Sequence, residues 1–128
     1  MKGYITDIER VTIENKDYRR VLYTARDLQL VLMCLRPGEE IGEEVHTLAQ
    51  FIRLEAGTGV AILDGVEHLI HAEHAIVVPA GARHNIRNTG TEDMKLYTIY
   101  APPEHKDQTV VHAKADEREE HFDGVTTE

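Results

Sequence analysis

Short runs of alternating apolar and polar residues, separated by turn residues, dominate this chain. Asp64-Gly65 fits a two-residue type I′ hairpin turn, because aspartate and glycine tolerate the positive φ angles that this turn requires. Many short strands with frequent turns predict an all-β sandwich or barrel. The predicted strands are Val11–Glu14, Tyr18–Thr24, Leu28–Arg36, Val45–Leu54, Val60–Leu63, His68–Ile70, Ala75–Val78, Arg83–Asn88 and Lys95–Tyr100.

The run Leu28–Arg36 is apolar on both faces. Such a strand is typical of one covered on both sides, so we expect the barrel interior on one face and another sheet or a subunit on the other. Cys34 lies within this run and is interpreted as a small buried hydrophobe. As the only cysteine of the chain, it excludes an intramolecular disulfide.

The pattern changes after Pro102-Pro103, where the chain becomes polar and acidic. We therefore expect a β-barrel in residues 1–103, with its motif core in 37–88, and an acidic C-terminal tail in 104–128. Ala113–His121 is the one stretch of this tail that favours a short helix. The tail is expected to wrap the barrel or to fray as a solvated extension, since it contains no second core.

The chain has 128 residues and a net charge of -9, which fits one acidic domain. The acidic excess lies in the tail and in Pro37–His46, where four glutamates stand without a basic residue. An acidic chain without a basic cluster is repelled by polyphosphate, so neither nucleic acid nor an anionic membrane is an expected partner. The longest apolar run, Leu30–Leu35, is too short to span a bilayer, and we expect a cytoplasmic location.

The eight histidines fall into three groups. His105, His112 and His121 lie in the tail and are expected to be exposed. His68, His71 and His74 surround a short strand and turn, where a metal site is open but less favoured. His46 and His84 lie on strands whose alternation directs them inward, and Glu44 and Gln50 share the face of His46. Burying these polar groups is costly unless they are paired or hold a ligand, and a divalent metal ion accounts for all of them.

Two motifs with matching spacing connect these residues to a known family. The first runs from Gly38 through Glu44, His46 and Gln50 to Gly57. The second includes Glu73, Pro79-Ala80-Gly81, His84 and Asn88. In both order and spacing they resemble the two motifs of the cupin superfamily, and the chain resembles a small single-domain cupin of the cupin 2 conserved-barrel type. The resemblance implies a double-stranded β-helix, the jelly-roll barrel of the RmlC-like proteins.

The chain departs from the cupin pattern at three positions. Glu73 replaces a glycine, Glu44 stands where the first histidine ligand usually lies, and Gln50 stands where the glutamate usually lies. Two imidazoles and one carboxylate therefore remain, which resembles the donor set of non-haem iron sites. The resemblance implies Glu44, His46, Gln50 and His84 as ligands of one divalent transition metal, which could be iron, zinc, nickel or manganese.

The resemblance further implies a metal-dependent enzyme acting on a small organic substrate, either dioxygenase-like or isomerase-like. Glu44 is the candidate catalytic residue, and Tyr97 or Tyr100 is a second candidate for moving a proton, since alternation lets only one of them face inward. A non-catalytic cupin that binds a small molecule or a metal is the alternative. We expect an aliphatic pocket built from Leu48, Ile52, Leu54, Ile86 and alternate residues of Leu28–Arg36. The family's habit of pairing barrels predicts a homodimer.

Overall fold

The computed structural model describes residues 1–128 and is almost entirely β-structure. A short helix, α1 (Ile8–Glu14), precedes the strands, and a 3₁₀ turn at Lys114–Asp116 follows them. The ten strands are β1 (Arg19–Thr24), β2 (Gln29–Leu35), β3 (Glu44–Val45), β4 (Ala49–Ala56), β5 (Thr58–Leu63), β6 (Val66–His71), β7 (Ala75–Val78), β8 (Arg83–Asn88), β9 (Met94–Ala101) and β10 (Val110–Val111).

The strands form two antiparallel sheets, which confirms the predicted jelly-roll architecture. The larger sheet has the order β10-β1-β2-β9-β4-β7, and the smaller sheet has the order β3-β8-β5-β6. Asp64 and Gly65 join β5 to β6 with φ angles of 48° and 82°, as the type I′ turn requires. The core between the sheets is aliphatic and includes Ile52, Leu54 and Ile86, which are at most 1% exposed.

Helix α1 replaces the strand predicted at Val11–Glu14, so that prediction is wrong. Asp7 caps the helix by accepting a hydrogen bond from the backbone N–H of Arg10 at 3.3 Å. The β-branched residues of this segment favour a strand locally, but the cap and the burial of Thr12 against the barrel determine the helix. The helix packs on the outer face of the larger sheet, against β4 and β9.

The outer face of β2 is covered within the same chain. Leu32 and Cys34 are only 2% and 4% exposed, and the backbone N–H of Cys34 donates to the carbonyl of Asp17 at 3.1 Å. The segment that follows α1 thus continues the pairing of β1 along the edge of β2, and the low exposure of Leu32 and Cys34 shows that their face is covered within the chain. Residues of the same chain therefore cover the outer face of β2. The expectation that another sheet or a subunit covers this face is wrong.

The predicted strand Val45–Leu54 is divided in two. β3 pairs with β8 in the smaller sheet, whereas β4 pairs with β7 and β9 in the larger one. The chain passes from one sheet to the other at residues 46–48. The sequence alternation continues across this passage, which is why it does not reveal the break.

The C-terminal tail wraps the barrel rather than fraying. Its strand β10 adds to the edge of the larger sheet, where Val111 pairs with Arg19. Further along, the backbone N–H of Phe122 donates to the carbonyl of Glu104, and that of Thr127 to the carbonyl of Thr24, both at 2.9 Å. The helix predicted at Ala113–His121 is limited to the 3₁₀ turn at Lys114–Asp116. Beyond this turn, the backbone N–H of Glu120 donates to the carbonyl of Arg118 at 3.1 Å, only two residues earlier, so the helical pattern does not continue.

Candidate metal centre

Three potential ligands meet where the chain passes between the sheets. Glu44 on β3 is the direct cross-strand partner of His84 on β8. His46 follows two residues later, and its carbonyl accepts a hydrogen bond at 2.7 Å from the backbone N–H of Gly81, in the turn that precedes β8. One ligand atom from each of Glu44, His46 and His84 lies within 4.8 Å of the others. The structure thus brings together three of the four residues predicted as ligands.

The ring of His84 is held in the orientation of a metal ligand. Its Nδ1 lies 3.0 Å from the carbonyl oxygen of Ala82, and a carbonyl can only accept, so Nδ1 bears the proton. Nε2 therefore presents a lone pair, and this atom is buried without a hydrogen-bond partner. Metal-binding histidines usually donate their other ring N–H to such an acceptor.

Glu44 and His46 form a charge-assisted pair beside this ring. Nε2 of His46 donates to Oε2 of Glu44 at 2.9 Å. Burial opposes ionisation of Glu44, but the hydrogen bond from His46 and the nearby charges of His46 and Arg19 lower its pKa overall. The hydrogen bond to Glu44 raises the pKa of His46, against the opposing effect of burial. Glu44 is therefore a carboxylate at neutral pH.

These donors fit a divalent transition metal. Two donors about 2.1 Å from a metal and at right angles to each other lie about 3.0 Å apart, close to the separation of the Glu44 and His46 atoms. The rings of His46 and His84 have centroids 5.0 Å apart, with 59° between their planes. A metal at Nε2 of His46 competes with the proton on that nitrogen, and because Glu44 raises the pKa of His46, metal binding is favoured as pH rises.

Gln50, the fourth predicted ligand, lies on the inner face of β4 and is 4% exposed. Its Nε2 donates to Oγ1 of Thr98 at 3.0 Å, while Oε1 is buried without a hydrogen-bond partner. The amide oxygen is the atom that could coordinate a metal. Coordination by Gln50 stays a prediction.

Tyr100 is the tyrosine that faces inward. It is 3% exposed, and its ring lies 6.0 Å from that of His46, whereas Tyr97 packs on the other face of β9 beside Phe51. Burial raises the pKa of Tyr100, with Arg19 acting in the opposite direction, so its hydroxyl stays protonated. Nε2 of His105 lies 3.4 Å from this hydroxyl. Burial, followed by the charge of Arg19, lowers the pKa of His105 to about 3.

The cavity that Glu44 lines is polar, so the expected aliphatic pocket is wrong, and His46 and His84 lie behind Glu44 and do not line this cavity. Leu48, Ile52, Leu54 and Ile86 pack into the barrel core. A cavity of about 390 Å³ lies instead at the mouth of the barrel, where Ile41 is its only hydrophobic wall residue. The other lining residues are Arg19, Gly42, Glu43 and Glu44 of the barrel, with Glu104, His105, Glu117, Arg118, Glu119, Glu120 and His121 of the tail.

Arg19 is the site residue that the sequence analysis missed. It is 4% exposed, and its Nη1 donates to Oε2 of Glu117 at 2.9 Å. It lines both the 390 Å³ cavity and an adjoining cavity of about 450 Å³ under the tail. The alternation of Arg19 with the buried Val21 is the signal that places this side chain inward.

The other two groups of histidines lie apart from the ligands. His71 and His74 stack on the outside, with ring centroids 3.8 Å apart, and His68 is also exposed. In the tail, His112 and His121 pair with Asp17 and Glu104. His105 is the exception to the expected exposure of the tail histidines, because it is partly buried against Tyr100.

Two residues of the motifs stabilise backbone conformation and are not ligands. Asn88 is 1% exposed and donates to the carbonyl oxygens of Leu35 and Glu92, both at 2.9 Å. Glu73 has a φ angle of 75°, the left-handed conformation that glycine adopts without strain. The glycine of the family motif at this position is thus replaced with the turn conformation kept.

Comparison with known proteins agrees with this barrel and its motifs. Residues 31–100 match the Cupin_2 family, described as a cupin domain, and the chain belongs to this family. The crystal structure of BH2720 from Bacillus halodurans superposes with a TM-score of 0.88 at 40% identity, covering 90% of this chain and 92% of that one.

Two curated relatives extend the comparison. The uncharacterized protein YrkC of Bacillus subtilis (strain 168) is 43% identical over 122 residues, which cover 90% of this chain and 66% of YrkC. The chain thus spans about two-thirds of that relative's length. The dimethylsulfoniopropionate lyase DddW of Ruegeria pomeroyi is 34% identical over 59 residues, covering 46% of this chain and 39% of the lyase.

No helix of the chain is both long and apolar enough to span a membrane.

Proposed function

We propose that this cupin is a metal-dependent enzyme that acts on a small organic substrate at the mouth of its barrel. The observation that supports the proposal is the cluster of Glu44, His46 and His84, with its oriented and unpartnered imidazole nitrogen. These three side chains would hold one divalent metal, with Gln50 as a fourth ligand. Iron, zinc, nickel and manganese all accept such donors.

A metal bound there would supply Lewis acidity and a fixed place for a substrate oxygen. The chain's own residues would position the substrate and move its protons. Glu44 is ionised and lines the cavity, so it can accept a proton as a general base. Tyr100, whose ring lies beside His46 and whose hydroxyl lies 3.4 Å from Nε2 of His105, is the second candidate for moving a proton.

The family relationship supports an enzyme without fixing the reaction. DddW is named as a lyase, and a likeness that covers less than half of each chain does not transfer that reaction here. We propose a dioxygenase-like or isomerase-like activity, because two imidazoles and a carboxylate leave coordination positions for a substrate.

Metal analysis of the purified full chain tests the ligand assignment. The wild type should contain about one transition metal per chain, and the double variant His46→Ala/His84→Ala should contain none while keeping its β-sheet circular dichroism. The matched control is His71→Ala/His74→Ala, which removes two imidazoles from the outer surface. Equal metal content in the two double variants would refute the proposed centre.

Turnover distinguishes an enzyme from a binding protein. The metal-loaded protein would be incubated with a panel of small organic compounds under air and under nitrogen. Substrate-dependent oxygen consumption identifies a dioxygenase, and conversion under nitrogen identifies an isomerase or a lyase. A stoichiometric metal without conversion of any compound would favour the non-catalytic alternative.

We also propose that the chain forms a homodimer. Val66 and Leu69 on β6 and Val77 on β7 are 57%, 85% and 65% exposed, and an interface would remove this apolar surface from water. Sedimentation at micromolar concentration should give the mass of two chains. A single species with the mass of one chain would contradict the proposal.

A further inference from the structure

A buried cation lies beside the proposed metal centre. The side chain of Arg19 is 5% exposed, and burying a guanidinium is costly unless anions accept its hydrogen bonds. Its Nη1 donates to Glu117, but its Nε is buried without a hydrogen-bond partner. The guanidinium has five N–H donors in a planar fork that suits carboxylates. Arg19 is therefore an anion site whose hydrogen-bonding capacity is only partly used.

The surroundings of Arg19 select for a small anion with one charge. The ring of Tyr18 lies 5.3 Å from its guanidinium carbon, which fixes the fork on one side. The same cavity is lined by Glu43, Glu44, Glu104 and Glu119, which would repel a polyanion. Because Glu44 and Arg19 line one cavity, an anion held by Arg19 lies within the proposed catalytic space.

The carboxylate of Glu117 is bound to Arg19 in a way that lets another carboxylate replace it. Its side chain is 35% exposed, so it can rotate into solvent without separating the tail from the barrel. The tail stays anchored on both sides of Glu117, by the pairing of β10 with β1 and by the bond from Phe122 to Glu104. Exchange of one carboxylate for another keeps one carboxylate bonded to Arg19.

We propose that Arg19 binds a carboxylate group of the substrate and that the Glu117 carboxylate takes its place in the free protein. This proposal rests on the enzyme function proposed above. It adds that the substrate of that enzyme is a small monocarboxylate. Glu117 then competes directly with the substrate and reduces its apparent affinity.

The test is a titration of the full chain with propionate, after a chelator has removed any metal. The readout is the NMR signal of the Arg19 side-chain Nε–H. Saturable binding is expected for propionate and not for propionamide, which has nearly the same shape and no charge. Glu117→Gln should bind propionate about tenfold more tightly, because the competing charge is gone. The matched control is Glu119→Gln, which removes a carboxylate that lines the same cavity without bonding Arg19, and it should raise the affinity much less than Glu117→Gln.

The two glutamate variants test the proposal while the buried Arg19 stays unchanged. Equal propionate affinity in Glu117→Gln and Glu119→Gln would overturn it, as would equal binding of propionate and propionamide by the wild type. Because the titrated protein holds no metal, failure of the metal centre would not alter this result. Conversely, loss of propionate binding would leave the metal content of the wild type unaffected.

Discussion

The two pairs of neighbouring histidines in this chain differ in what their ring nitrogens face. His71 and His74 stack on the outer surface, where Nδ1 of His74 accepts from the backbone N–H of His71 and Nδ1 of His71 lies 2.9 Å from the carbonyl of Ala72. His46 and His84 lie inside, and each has one buried ring nitrogen without a partner. The outer nitrogens are bonded within their own turn or exposed, whereas Nε2 of His84 is buried and available for a ligand. Close spacing of histidines in the sequence is therefore a poorer guide to a site than an inward position beside a carboxylate.

The largest expected effect separates the two pairs by metal affinity. His84→Ala should weaken binding of Zn²⁺ at least about 100-fold, because it removes the ligand whose free lone pair is already oriented. His74→Ala should leave the affinity unchanged. Isothermal titration of both variants with Zn²⁺ measures the difference, and a similar loss in the two would show that the inner pair is not the metal centre.

The second prediction extends the comparison to the pH dependence of stability. His105 has a pKa of about 3 in the folded protein and an ordinary value of about 6.5 in the unfolded chain. Between these values the unfolded state binds about one more proton at this residue. The free energy of unfolding should then fall by up to about 1.4 kcal/mol for each pH unit below 6.5. The charges that face His105 are those of Arg19, His46 and His121.

Chemical denaturation of the metal-free chain from pH 7 to pH 4.5 measures this slope. His105→Gln should reduce it by about one proton, because glutamine does not titrate. His68→Gln, at an exposed histidine, should leave it unchanged. Identical slopes for the wild type and His105→Gln would contradict the buried, neutral state of His105.

The inward position of His46 and His84 was predictable from the sequence. The contacts that the C-terminal tail makes around them were not. Strand alternation and motif spacing predicted one cluster, and the structure brings Glu44, His46 and His84 together, whereas coordination by Gln50 stays a prediction. Arg19 acquires its role only through Glu117, 98 residues further along the chain, and no local pattern encodes that pairing. Helix α1 was missed for a similar reason, since its β-branched residues favour a strand until the barrel surface buries Thr12.

A third prediction concerns the inner polar residue that departs from the family pattern. Gln50→Glu restores the carboxylate usual at this motif position and should raise the affinity for Zn²⁺ about tenfold. Without metal the same variant should be less stable than the wild type, because residue 50 is only 4% exposed and a carboxylate is costly to bury there. Zn²⁺ titration and denaturation in a chelator measure the two effects. An unchanged affinity would place the side chain of residue 50 outside the coordination sphere.

The smallest expected effect lies in the turn that carries the outer pair. Glu73 has a φ angle of 75°, which is strained for any residue with a Cβ atom, so Glu73→Gly should raise the free energy of unfolding by about 0.5–1 kcal/mol. Glu67→Gly, at an exposed position within β6, should lower it by a similar amount, because glycine weakens a strand. Urea denaturation measures both changes. Neither variant should alter Zn²⁺ affinity if the turn of His71 and His74 only supports the fold, and a change in affinity with Glu73→Gly would instead connect the outer pair to the metal.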